Sequence, residues 1–228
     1  PKINARANAG LYDFVLHPQY AQNQWLYFAY SKAGEGNQSA TVLARAKLQG
    51  NSLTQVQELY STEMGTNVGG TRIAFAQDGK VLLTTPAAGD TAKAQDPNSA
   101  FGKILRLNDD GSIPRDNPFV GKAGYRPEIY TMGHRDHLGL VVHPSGTIFN
   151  AEHGPNGGDE VNLIKAGADV NRWDTWGRAP LYSAVDYNTT PRGGRPDRPS
   201  SDVVTALQVT EMLLSKGANP NMQLKLFP

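Results

Sequence analysis

The 228-residue chain has no cysteine, which excludes disulfides, thiolate nucleophiles and cysteine-ligated metal sites. It has no apolar run near the roughly 20 residues that a membrane-spanning helix needs. Its first residues, PKINARANAG, lack the apolar core of a signal peptide, so this stretch carries no signal peptide. It also lacks an excess of either charge: 22 Lys and Arg stand against 21 Asp and Glu, for a formal net charge of +1. No basic block interrupts that balance, so the electrostatic footprint of nucleic-acid binding is missing. What the chain does have is turn-forming residues, 24 glycines and 15 prolines. That abundance fits short strands joined by tight turns.

From the N-terminus, Phe14–Leu16 and Trp25–Phe28 are aromatic and branched runs that favour strands. Residues 41–48 and 56–60 give two further strands. Ile73–Phe75 and Val81–Leu83, separated by Asp78-Gly79, form an expected hairpin. A comparable unit returns at GLVVHPSGTIFNA, residues 139–151: placing Phe75 on Val142 brings Gly79 onto Gly146. Leu16-His17-Pro18 is a looser third copy of Val142-His143-Pro144. Such a repeat points to four-strand units arranged as propeller blades. Residues 102–107 read as a strand, with Asp110-Gly111 as a turn.

The stretch from Tyr125 to Ile164 concentrates candidate chemistry. It holds four of the five histidines, the pair Arg135-Asp136, and the loop EHGPNGGDE. His134 and His137, with Glu152 and His153 nearby in sequence, carry transition-metal donors. Yet an i, i+3 spacing on extended chain does not by default place two side chains on one face. His17 and His143 precede prolines and read as strand-end turn residues. After Lys165 the composition changes. Residues 203–214 show helical spacing, with Ser200 or Ser201 as a start signal and Gly217 as a stop. Trp173 and Trp176 flank Asp174 and read as packing residues or a partner surface.

Two resemblances follow. Residues 9–164 resemble the soluble sugar dehydrogenases that use pyrroloquinoline quinone, the glucose/sorbosone dehydrogenase type. The motifs are GLYDFVLHPQYAQNQWLYFAYS, GGTRIAFAQDGK, AQDPNSAFGKILRLNDDGSIPRDNPF, PEIYTMGHRDHLGL and EHGPNGGDEVNLI. Residues 163–221 resemble ankyrin repeats through LIKAGADVN, DTWGRAPLYSA and EMLLSKGANPN. The expectation is therefore a mainly β chain. Residues 1–164 form part of a six-bladed β-propeller, fewer than three blades, and residues 165–228 a short helical ankyrin-like segment. Read this way the chain is a chimera.

The first resemblance implies an oxidoreductase passing a hydride from C1 of an aldose to the quinone, with calcium as second cofactor and a periplasmic or extracellular location. It implies quinone contacts at Arg135 and Asp136, the latter usually asparagine in the family. It implies calcium at Gly154 and Pro155, and a second calcium at Glu160. It places substrate contacts at Asn8 and Asn67, and the catalytic base at Val68, a side chain that cannot accept a proton. The ankyrin resemblance implies a protein partner. A non-catalytic binding protein and a non-functional fusion stay open as alternatives.

Overall fold

The computed structural model describes residues 3–4, 9–66, 69–87, 89–153 and 159–164, together with Glu211, which is helical. The chain divides into two compact units, residues 1–166 and 167–228. Among its described residues the first unit is almost entirely β, with three antiparallel sheets, each a meander whose neighbours in space are neighbours in sequence.

The first sheet runs β1 (Leu11–Leu16), β2 (Trp25–Ala33), β3 (Ser39–Gln49) and β4 (Ser52–Ser61), with one short helix, α1 (Tyr20–Asn23), between β1 and β2. The second runs β5 (Ile73–Phe75), β6 (Val81–Thr85), β7 (Lys103–Leu107) and β8 (Ile129–Met132). The third has β9 (His137–Val142), β10 (Ile148–Glu152) and β11 (Glu160–Ile164). β8, β11 and α1 were not among the expected elements.

The expected repeat is present in register. Phe75 pairs with Val81, and Val142 pairs with Ile148. Each hairpin turns on a glycine in the left-handed region, Gly79 at φ +78° and Gly146 at φ +85°. In each the amide of that glycine donates to a carbonyl three residues back, Ala76 and His143 respectively.

β6 and β7 are buried at every residue because both faces of the second sheet are covered. Val81, Leu83, Leu105 and Leu107 pack with Tyr27, Ala29 and Leu43 of the first sheet. Leu82 and Ile104 face the other way, onto Ile148 and Ile164 of the third. Asp13 ties the first two sheets by accepting the Ile73 amide at 2.9 Å. Arg72 Nε donates to the Leu138 carbonyl at 2.8 Å and ties the second to the third.

At Leu163-Ile164, where the ankyrin-like resemblance starts, the structure corrects it. Both residues lie in β11, which pairs along its whole length with β10 and places Ile164 in the core between the sheets. The rest of the ankyrin-like expectation lies outside the described residues, Glu211 excepted. Among the described residues, no helix is long and apolar enough to cross a membrane.

Candidate functional site

The strand ends opposite the Gly79 and Gly146 turns carry the candidate site. Between β8 and β9 the chain runs Gly133-His134-Arg135-Asp136, and backbone hydrogen bonds hold it on several sides. The Gly133 amide donates to Ala94, the His134 amide to Gly102, the Ala87 amide to the Arg135 carbonyl, and the His153 amide to the Asp136 carbonyl. Gly102, at φ +68°, is required here: a Cβ on it would lie 2.5 Å from the His134 carbonyl.

The side chains complete the anchoring. Glu152, at the end of β10, is 6% exposed and fully engaged. Its Oε1 accepts from Asn150 Nδ2 at 2.5 Å and Asn162 Nδ2 at 3.1 Å, and meets His134 Nδ1 at 2.5 Å. Its Oε2 accepts the Arg135 amide at 2.8 Å. Burial works against the charged carboxylate, but the His134 and Arg135 hydrogen bonds prevail and hold its pKa at about 2. Burial and the neighbouring His134 lower the His137 pKa to about 4, so that ring is neutral at physiological pH.

Arg135 and Asp136 do not pair with each other. The Arg135 guanidinium donates through Nη1 to the His153 carbonyl at 3.0 Å, and its Nε is buried without a hydrogen-bond partner. Asp136 turns to the loop before β5: its Oδ1 accepts the Gly70 amide at 2.6 Å, and its Oδ2 lies 3.8 Å from His153 Nδ1. The approach is close enough that a Cβ on Gly70 would fall 1.6 Å from the His137 carbonyl. The two loops that carry the expected quinone and substrate positions are therefore in direct contact.

Of the expected site residues, Arg135 and Asp136 are together. Asn8, Asn67, Val68, Gly154 and Pro155 lie outside the described residues, and Glu160 contributes a backbone position at the start of β11, opposite Glu152. Sequence reasoning did not find Thr131 or Asn150, nor the role of Glu152. One signal was available: the core-facing alternation Ile148, Asn150, Glu152 puts polar groups where apolar ones belong.

The residues fit a multiply charged anion. Arginine grips carboxylates in paired hydrogen bonds. Here the Arg135 backbone is pinned by Glu152, and the Nε of its side chain still lacks an acceptor. Asp136, whose carboxylate would repel an anion, is turned to the Gly70 amide.

Comparisons with known proteins identify the relatives of this chain. A family model described as glucose/sorbosone dehydrogenase matches residues 1–220, a range that includes most of the ankyrin-like segment. The chain is 33% identical over 187 residues to the aldose sugar dehydrogenase YliI of Escherichia coli, covering 78% of this chain and 50% of that one. It is 28% identical over 193 residues to quinoprotein glucose dehydrogenase B of Acinetobacter calcoaceticus, covering 73% and 40%. The apo soluble aldose sugar dehydrogenase structure from E. coli superposes with a TM-score of 0.69 at 31% identity, covering 75% of this chain and 51% of that one. The PQQ-bound aldose sugar dehydrogenase of Streptomyces coelicolor superposes with a TM-score of 0.64 at 30% identity, covering 75% and 50%. The structural neighbours are β-propeller glucose dehydrogenases. The chain spans about half the length of the curated relatives it matches. By sequence and by fold, it belongs to the glucose/sorbosone dehydrogenase family.

Proposed function

We propose that this chain holds the quinone side of a pyrroloquinoline-quinone-dependent aldose dehydrogenase built as a six-bladed propeller, with calcium bound by the backbone of Gly154 and Pro155 and a second calcium at Glu160. The observation that carries the reading is the buried, unpartnered Nε of Arg135 in a loop fixed by Glu152. Arg135 would hold a quinone carboxylate. Asp136 would order the loop of residues 66–70, where the substrate position Asn67 lies, through the Gly70 amide. When bound, the quinone supplies a two-electron acceptor for the hydride leaving the sugar. Family resemblance extends the proposal to a periplasmic or extracellular location.

A second reading is favoured by Val68, which stands where the resemblance implies a base. Without a proton acceptor the chain would bind quinone and sugar and not oxidise. For residues 165–228, the family match to residue 220 favours continuation of the dehydrogenase. The GADVN and GANPN motifs favour an ankyrin-like partner surface.

The test is calorimetric titration of the chain with pyrroloquinoline quinone in the presence of calcium. Saturable binding is expected, lowered at least tenfold by Arg135→Lys and abolished by Arg135→Ala. No binding to the wild-type chain overturns the assignment. Binding without aldose-dependent dye reduction selects the non-catalytic reading.

A further inference from the structure

His134, His137 and Glu152 form a cluster that quinone binding leaves unused. They are 7%, 0% and 6% exposed. Each offers a nitrogen or oxygen donor, and these donors lie within 4.8 Å of one another. Two features separate the cluster from an ordinary buried hydrogen-bond pin.

The first is His137. One ring nitrogen, Nδ1, meets Asn150 Oδ1 at 2.9 Å, while Nε2 is buried with no hydrogen-bond partner. The Thr85 backbone lies near the ring and favours its protonated form, but outside hydrogen-bonding geometry. An unsatisfied buried nitrogen is rare in a folded protein and calls for a specific partner.

The second is that each donor already has the outer support of a metal ligand. His134 Nε2 meets the Thr131 hydroxyl at 2.8 Å, and a hydroxyl can donate or accept. His134 can therefore turn Nδ1 into a lone pair, move its proton to Nε2 and keep a partner on both sides. Glu152 is oriented by the Arg135 amide and by Asn150 and Asn162. Oriented imidazoles and hydrogen-bonded carboxylates of this kind surround protein-bound metals.

We propose that His134, His137 and Glu152 bind one divalent transition metal of the zinc class. Two imidazoles and one carboxylate suit zinc, cobalt or nickel. They do not suit calcium, which takes six to eight oxygen ligands. The metal takes the place of the proton between His134 Nδ1 and Glu152, and that proton passes to His134 Nε2. Buried as it is, the centre is structural: it clamps the end of β10 to the loop that carries Arg135. It stands independently of the quinone proposal.

The test uses the chain freed of metal by a chelator, titrated with Co²⁺ and, separately, with Zn²⁺. One equivalent of Co²⁺ is expected, with the ligand-field spectrum of a four- or five-coordinate nitrogen-ligated ion, displaced by Zn²⁺ and not by Ca²⁺. Zn²⁺ should raise the melting midpoint. His137→Gln should weaken Zn²⁺ binding about 100-fold or more, whereas His143→Ala, on the exposed Gly146 turn, should leave it unchanged. A cobalt spectrum no different from the six-coordinate aquo ion overturns the proposal, as does Zn²⁺ uptake that survives His137→Gln. If His137→Gln does not fold, the zinc absorption edge of the wild-type chain decides: two imidazole ligands support the site and their absence removes it.

Discussion

Lys103 starts β7 with none of its surface exposed, and its ammonium donates to three backbone carbonyls: Lys93 at 2.8 Å, Ala94 at 3.0 Å and Phe101 at 2.7 Å. One cation thus gathers the loop that supports His134. Burial lowers its pKa to about 8, against the opposing pull of Asp96 and Glu63. A lysine whose folded pKa lies below its unfolded 10.5 binds fewer protons folded than unfolded between those values. Stability should therefore rise with pH across the window from about 8 to 10. Above it, tyrosines such as Tyr60, whose pKa is raised by burial and by Glu128, act in the opposite sense. Thermal melts should show the midpoint climbing across that window in the wild-type chain and not in Lys103→Met. That variant should also lose about 2 kcal/mol at neutral pH, because carbonyls are left unpartnered. A parallel climb in both proteins would assign the effect to another group.

The repeated hairpin is the element on which the fold is most legible. Both turns place glycine at positive φ, where a side chain costs roughly 1 kcal/mol. A Cβ on Gly79 meets nothing within 4 Å, while one on Gly146 meets Gln77 Oε1 at 3.2 Å, the far end of a flexible side chain. Gly79→Ala and Gly146→Ala should therefore destabilise by nearly equal amounts, about 1 kcal/mol each, in chemical denaturation. A much larger loss at either would show that the two turns are not equivalent. This equivalence was readable because hairpin register depends on a few local residues. β8 was not readable: Ile129–Met132 is a short run whose partner, β7, lies across a long irregular loop. β11 was hidden by its acid- and glycine-rich flank and by the ankyrin-like resemblance of LIKAGADVN. At the site, Arg135 and Asp136 came from a motif. The contact of Asp136 with Gly70 joins residues 66 positions apart, and no local pattern announces such a distance.

At the scale of the whole unit, stability converges on the second sheet, because consecutive residues of β6 belong to different cores. Leu83 faces the first sheet, with Tyr27 and Leu43, and Leu82 faces the third, with Ile148 and Ile164. Both are completely buried. Truncating either to alanine should cost about 2–5 kcal/mol, the usual range for a buried leucine. The costs should be distributed differently. The third sheet has three strands, and the outward side chains Val141, Val161 and Leu163 are 60%, 72% and 46% exposed. Its attachment to the rest of the unit therefore rests largely on the core that contains Leu82. Leu82→Ala should accelerate amide hydrogen exchange in β9 and β10 first, loosening the strands that carry Glu152 and flank Arg135, while β2 and β3 stay protected. Leu83→Ala should instead raise exchange in β2 and β3 along with the second sheet. Uniform acceleration in both variants would mean that the three sheets open as one cooperative body.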